Sequence, residues 1–165
     1  MRQTIILIIM FVASIYTTTT TAKEQKKVTK EWKYDIECAG TGSEGTFMVK
    51  VWSYGKKANI PAEEAKKNAV HGVLFKGFAG AQGCTAQKAI VKDPATQNDK
   101  ADFFDKFFDK ENTYLKYASI ISTTPEIVKV GKNEYKVGYV ISISKDQLRK
   151  DLEAAGIIRS LSSGF

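Results

Sequence analysis

The chain has 165 residues, of which 25 are basic and 18 acidic, so its formal net charge at pH 7 is +7. A basic balance favours anionic partners such as lipid head groups, polyanionic glycans or nucleic acid, although it can equally serve solubility. The basic residues are scattered among acidic ones, and no aromatic side chains interleave a basic groove. The sequence therefore argues against nucleic-acid binding.

The first 22 residues have the layout of a secretory signal peptide. One basic residue, Arg2, precedes an apolar run from Ile5 to Tyr16, and small residues lead to Ala22. A membrane anchor is the rival interpretation, but this run falls short of the about 20 residues that a helix needs to cross a bilayer. We expect cleavage near Ala22, a periplasmic or secreted protein, and no transmembrane segment after signal removal. Because the first cysteine is Cys38, no lipid-modified N-terminal cysteine is expected.

The chain divides into a leader, an arm, a domain and a tail. The arm contains a cluster of basic residues between Lys23 and Lys30. The domain has the usual size of one folded unit. The predicted bounds are 1–22 for the signal peptide, 23–32 for the polar basic arm, 33–156 for the single domain and 157–165 for the C-terminal tail.

Two runs of alternating apolar and polar residues open the domain. Residues 34–38 and 47–52 have the period of two that is typical of strands, and a Gly-rich link at 39–45 joins them. We therefore predict an antiparallel β-hairpin. The link could also be compared with a phosphate-binding loop, but it has no Lys-Ser/Thr pair and no helix directly after it. A nucleotide site is not predicted.

Cys38 and Cys84 are the two cysteines of the chain. In an oxidising compartment they can pair, and closing a loop of this length would stabilise the fold by roughly 4 kcal/mol in the entropic model. Two buried thiols are the alternative, because sequence alone does not place the two Cβ atoms within reach. A catalytic cysteine is disfavoured, since the only histidine, His71, would have to serve as its base.

The strongest helix signal begins at Pro61, the predicted first helical position, with Glu63 and Glu64 in a first turn where the helix dipole favours acids. One face consists of Ala62, Ala65, Ala69, Gly72 and Val73. We expect this small face to lie on the opening hairpin, and we expect His71 to be exposed on the opposite, polar face. No second histidine or cysteine stands at metal-ligand spacing, so neither a metal site nor a cofactor is predicted.

A weak strand signal at 89–91 is followed by a repeat of phenylalanine pairs. The repeat, at 102–110, places its rings on one side of a short amphipathic helix. These rings are Phe103, Phe104, Phe107 and Phe108. They form either an interaction surface for a membrane or a protein, or a cap over the open side of the core, and burial is the commoner fate of aromatic rings.

The last third contains a second hairpin and a helix. Residues 127–130 and 135–144 are strand-like and flank turn residues at 131–134. The inward face of the longer strand consists of Val137, Tyr139, Ile141 and Ile143. Ser144 and Gln147 have the spacing of a capping box for the final helix, and Gly156 is its predicted stop. Two hairpins with helices packed mainly on one face predict an α+β fold built on an antiparallel sheet.

Three stretches resemble small exported domains of the flagellar T-protein N-terminal type, which are also seen in outer-envelope lipoproteins. They are the Gly-bearing stretch from Cys38 to Gly45, the Ala-spaced helix at 62–69, and the terminal strand and helix from Tyr139 to Leu152. The chain departs from this type in lacking a lipidation cysteine and in inserting the Phe-rich helix. The resemblance implies a non-catalytic role in the envelope or in assembly, and it carries no site over.

Two functions from different classes follow. The first is an exported, non-enzymatic protein that binds a protein or an anionic envelope partner through strand edges, the Phe-rich helix or the basic arm. The alternative is an exported hydrolase that uses carboxylates, for example Asp93, Asp99 and Asp102. No nucleophile motif is recognisable and nothing in the sequence pairs these carboxylates, so no catalytic residue is assigned and binding is preferred. The partner and the oligomeric state are not set by the sequence.

Overall fold

The computed structural model describes residues 31–81 and 83–160. The predicted signal peptide, residues 23–30 of the predicted arm and residues 161–165 lie outside the described residues. An antiparallel sheet is combined with helices, which confirms the predicted α+β class. The strands are β1 (Tyr34–Gly40), β2 (Phe47–Gly55), β3 (Ala118–Ile120), β4 (Glu126–Gly131) and β5 (Glu134–Ile143).

β5 is the central strand of the sheet. One side of β5 pairs with β2, from Tyr135 opposite Gly55 to Ile143 opposite Phe47. The other side is shared by β4, which pairs with the first half of β5, and β3, which pairs with its last residues. β1 pairs with β2, so β1 forms one edge of the sheet and β3 with β4 form the other.

Both predicted hairpins are present, as β1–β2 and β4–β5. The four residues predicted to face inward from the longer strand of the second hairpin are buried, while Val140 on the opposite face is half-buried. β3 was not predicted. It is three residues long, which is too short for alternation of apolar and polar residues to reveal it in the sequence.

The helices are α1 (Ala62–Phe75), α2 (Thr96–Asp99), α3 (Ala101–Asp105) and α4 (Lys145–Ala154). A π-helical segment (Lys106–Lys110) continues α3, and a 3-10 helix (Thr113–Tyr117) leads into β3. Pro61 is the N-cap of α1, so the helix begins one residue later than predicted. Glu63 and Glu64 lie in its first turn, as predicted.

α1 lies on the sheet through its small residues, as predicted. Ala65 and Ala69 are fully buried, and a Cβ added at Gly72 would lie only 2.7 Å from the Ile36 side chain of β1. Glycine at this position therefore allows the helix backbone to approach β1. Further along the helix, the Asn68 amide donates a hydrogen bond of 2.8 Å to the buried Ser53 hydroxyl of β2.

The prediction that His71 is exposed is wrong, because only 4% of its surface is accessible. Trp32 stacks on the imidazole at a centroid distance of 3.7 Å, and the Tyr34 hydroxyl oxygen lies 2.6 Å from Nδ1. The Gln97 amide nitrogen lies 3.1 Å from Nε2. The physical reason is that Trp32 before β1 and Phe108 of the Phe-rich segment cover this side of α1.

The Phe-rich segment is helical from 101 to 110, and its second half is π-helical. Three of its rings are buried: Phe104, Phe107 and Phe108. They pack on one another, and Phe104 also packs edge-on against Phe75 of α1 at 5.0 Å. These three rings belong to the core. An interaction surface at this segment stays a prediction, with the half-buried Phe103 as its accessible ring.

The weak strand signal at 89–91 does not correspond to a strand. Instead, the amides of Ile90 and Val91 donate hydrogen bonds of 3.2 and 2.9 Å to the carbonyls of Val73 and Leu74 in α1. The last carbonyls of a helix have no partner within the helix, so these two bonds satisfy the end of α1. They also hold residues 90 and 91 against the C-terminal end of α1.

The predicted capping box at α4 is wrong. Ser144 is the N-cap residue, but its side chain makes no capping hydrogen bond. The amide of Asp146 donates instead to the carbonyl of Gly45, at 3.2 Å, in the link between β1 and β2. A contact from a distant loop thus takes the place of the local cap.

The predicted stop of α4 is confirmed. Gly156 has a φ of 65°, and its amide donates to the carbonyl of Glu153. The amide of Ile157 donates to the carbonyl of Leu152 at 2.9 Å. This pair of bonds is the Schellman motif, which ends a helix.

The face of the sheet turned away from α1 is centred on Trp52 of β2. A Cβ added at Gly138 of β5 would lie 2.8 Å from two atoms of the indole, so the ring lies against the glycine backbone. The Nζ atoms of Lys50 and Lys136 lie 4.3 and 4.4 Å from the ring centroid, and the indole N–H donates to Glu37 at 2.8 Å. Trp52 is consequently only 8% exposed.

The core position of Phe108 leads to a test of the layer over α1. Phe108→Ala should lower the free energy of unfolding by about 3–5 kcal/mol, because it opens a cavity between α1 and the Phe-rich segment. Phe103→Ala, the matched control on the same segment, should cost clearly less because its ring is half-buried. Urea denaturation followed by circular dichroism measures both, and equal losses would contradict the burial of Phe108.

Candidate functional site

The outer edge of β1 is free of any other described strand. The carbonyl of Lys33 accepts a hydrogen bond of 3.2 Å from the Tyr54 amide, so the backbone groups of Lys33 point toward β2. Backbone groups alternate between the two sides of an antiparallel strand. The N–H and C=O groups of Tyr34, Ile36 and Cys38 therefore point away from β2, toward the open edge.

The segment Lys76–Lys88 faces this edge across a groove of about 620 Å³. Phe78 and Gln87 exchange two backbone hydrogen bonds of 2.9 Å, which close the segment into a loop. Gly77 begins this loop with a φ of 69°, and a Cβ there would overlap the Gln87 carbonyl. Only glycine fits both the backbone conformation and the space, so the wall of the groove depends on this residue.

A disulfide joins Cys84 to Cys38, which lies two residues beyond Ile36 of the groove lining, and the predicted pairing is confirmed. The two Cα atoms are 6.3 Å apart, within the range that such a bond spans. The disulfide ties the end of β1 to the facing loop. Next to it lies a smaller pocket of about 240 Å³, whose lining includes Thr41, Thr46 and Lys145.

Lys76 lines the groove beside Tyr34. Its ammonium group donates a hydrogen bond of 3.3 Å to the Tyr34 carbonyl and lies 3.8 Å from the centroid of the Tyr34 ring. Partial burial lowers the pKa of Lys76, and the neighbouring Asp35 carboxylate opposes that shift. Burial raises the pKa of Tyr34, so its phenol stays neutral beside the cation.

The charged lining of the groove is mainly basic. Lys76 and the exposed Lys88 are its two cations, and Asp35 is its one acid. The Asp35 carboxylate accepts a hydrogen bond of 2.5 Å from the Tyr54 hydroxyl, which raises the pKa of Tyr54. With two lysines against one aspartate in its lining, the groove presents more positive than negative charge to an occupant.

Phe103 lines a separate pocket of about 260 Å³ between the Phe-rich segment and α4. Its apolar wall also includes Phe107 and Leu152. At the rim, Asp151 accepts hydrogen bonds of 2.8 and 2.7 Å from Lys116 and Tyr117. These two bonds lower the pKa of Asp151. Lys116 and Asp151 are thus paired with each other.

The three carboxylates considered for catalysis are all exposed. Asp93 accepts a hydrogen bond of 2.9 Å from the Ala95 amide in its own turn, while Asp99 and Asp102 lie in the short helices that follow. Among residues 31–81 and 83–160, no group of three or more His, Cys, Asp or Glu side chains is placed to hold a metal ion. The described structure offers no observation in favour of carboxylate chemistry.

The groove combines one feature that the sequence indicates with several that it does not. The pairing of Cys38 with Cys84 was predicted. Lys76 and Lys88 were not, because they lie twelve residues apart on a stretch with no periodic pattern, and only the closure of the loop brings both to β1. The free backbone groups of Ile36 have no signal in the sequence either, because any strand residue carries them.

No protein-family model matches the chain, and comparisons with the curated proteins and with the solved structures give no match. The geometry of the groove is therefore the basis on which a function can be assigned.

The disulfide leads to a second test. Cys38→Ser with Cys84→Ser should lower the free energy of unfolding by roughly 4 kcal/mol, because the unfolded chain loses a long cross-linked loop. Thiol counting of the wild-type protein under denaturing, non-reducing conditions should give no free thiol. A reductant should destabilise the wild-type protein and leave the double variant unchanged. Two free thiols in the wild-type protein would contradict the bond.

Proposed function

We propose that this chain is an exported, non-enzymatic binding protein that holds an anionic segment of a protein or an envelope polymer in the groove between β1 and Lys76–Lys88. One observation carries the proposal: the groove along the open edge of β1 is lined by two lysines and a single aspartate, so its charged lining is net positive. An anionic occupant would gain charge-assisted contacts there without displacing an existing ion pair.

The construction of the groove supports a binding role. Its wall is fixed by the Cys38–Cys84 disulfide, by the glycine turn at Gly77 and by the bonds from Ile90 and Val91 to α1. A wall held at several points loses little conformational freedom when a ligand binds, which favours affinity. No catalytic group is required by this role.

Export is part of the same proposal. The Cys38–Cys84 disulfide is of the kind that persists in oxidising compartments, which is compatible with export. Across residues 31–81 and 83–160, the structure contains no helix with both the length and the apolar character needed to cross a membrane. The signal-peptide pattern of residues 1–22 and the resemblance to exported envelope domains support the same location.

The experiment is a charge reversal with a matched control. Lys76→Glu with Lys88→Glu should weaken binding to polygalacturonate or poly-L-glutamate by about tenfold or more, because two favourable contacts become repulsive. Lys110→Glu with Lys132→Glu makes the same change in net charge at exposed positions outside the groove lining. Isothermal titration calorimetry with both polyanions measures the affinities.

The two variants separate a site from a general charge effect. Retained binding by the control together with loss in the groove variant supports the proposal. Equal loss in both variants, or no binding of either polyanion by the wild-type protein, would reject the groove as an anion-binding site. Circular dichroism checks that both variants remain folded.

A further inference from the structure

We infer that the occupant of the groove is an extended acidic polypeptide segment that adds to β1 as a short extra strand. The inference rests on the proposed function and narrows it from any anionic macromolecule to a peptide. It depends on three features of the groove: its backbone groups, its length and the positions of its cations.

The first feature is the row of backbone groups on the open edge. The N–H and C=O of Ile36 face the groove, and no side chain or loop within residues 31–81 and 83–160 forms a hydrogen bond with them. The next outward groups belong to Tyr34 and Cys38, two residues away on either side. Outward groups along a strand repeat every two residues, about 6.6–6.8 Å apart, which is the repeat of a second extended peptide. One residue of an added strand can exchange both of its backbone hydrogen bonds with Ile36.

The second feature is the length that is available. The disulfide holds the facing loop against β1 at Cys38, and the Lys76 ammonium occupies the Tyr34 carbonyl. Between these two ends the free edge is centred on Ile36. The added segment is therefore short, about three to five residues, unless Lys76 moves aside.

The third feature is the charge around the free edge. Lys76 lies at one end of the edge and Lys88 on the facing loop, so carboxylates on the added strand meet a cation on each side. Lys76 is exposed, so its ammonium group is accessible to a carboxylate of the added strand. A neutral strand would make the backbone bonds but would bring no carboxylate to either cation.

The opposite edge of the sheet is less suited to strand addition. β4 has a register shift between Lys129 and Gly131, and Lys129 places a charge on the strand itself. β1 also has a register shift, between Cys38 and Gly40, but it lies at the end of the strand beyond the free edge at Ile36. Bulges and lysines are the usual means by which natural sheets prevent pairing at an edge. Ile127 is 51% exposed on β4, but the register shift and the charge of Lys129 disfavour continuous hydrogen bonding to an added strand.

The test uses peptides that differ only in their backbone. The probe is an N-acetylated, C-amidated hexapeptide library with Asp or Glu at alternate positions and mixed residues elsewhere. Its control is the same library with N-methylated amides, which keeps the carboxylates and removes the backbone donors. Polygalacturonate serves as the polyanion without peptide groups.

The expected result is binding of the hexapeptide library by the full mature protein, with at least about a tenfold loss on N-methylation. Amide hydrogen exchange followed by NMR should show new protection of the Ile36 amide on binding. Equal binding of the two libraries, or binding without protection of Ile36, would overturn strand addition.

The failure of this inference can be told apart from failure of the proposed function. If polygalacturonate binds in a Lys76- and Lys88-dependent way and the hexapeptides do not, the occupant is a non-peptide polymer and the groove keeps its proposed role. If no probe binds, the inference and the proposed function both fall.

Discussion

The close approach of α1 to the sheet is the constraint on which the rest of the structure depends. Gly72 brings the helix backbone against Ile36, and the buried Ala65 and Ala69 continue that contact. A helix this close to the strands leaves its opposite side uncovered over most of its length. The Phe-rich segment covers that side with three buried rings, and Lys67 of α1 is joined to Asp109 of this segment by an ion pair of 2.5 Å. The core is therefore built on both sides of α1.

The groove is a consequence of where α1 ends. The carbonyls of Val73 and Leu74 need partners, and the amides of Ile90 and Val91 supply them only if the chain turns back after the helix. The chain does so through the left-handed turn at Gly77. Because the C-terminal part of α1 lies against β1, the loop that follows this helix also runs beside β1. The disulfide then holds the loop in place.

The sequence predicted the parts of the fold in which a local pattern suffices. Alternation of apolar and polar residues was enough for both hairpins, and the small residues of α1 indicated the face that meets the sheet. His71 was misplaced because its polar neighbours in sequence suggested solvent, whereas the side chains that cover it, among them Trp32 and Phe108, come from distant parts of the chain. The cap of α4 was also misjudged, since the amide of Asp146 bonds to the carbonyl of Gly45 in a distant loop.

Of the features that form the groove, only the disulfide could be predicted from the sequence. Its cations and its free backbone edge exist only after tertiary contacts form.

The arrangement around Trp52 has a consequence for solubility. A sheet that is covered by helices on one side has a second face open to solvent. An exposed tryptophan at the centre of that second face would ordinarily form an apolar patch that favours association with other molecules. Here the indole lies against Gly138 and beneath two lysines, with Glu37 fixing its N–H. Water therefore meets ammonium and carboxylate groups where it would otherwise meet an aromatic plane. Among residues 31–81 and 83–160 no helix covers this side of the sheet, and the charged groups around the indole discourage contact between copies of the chain through this face.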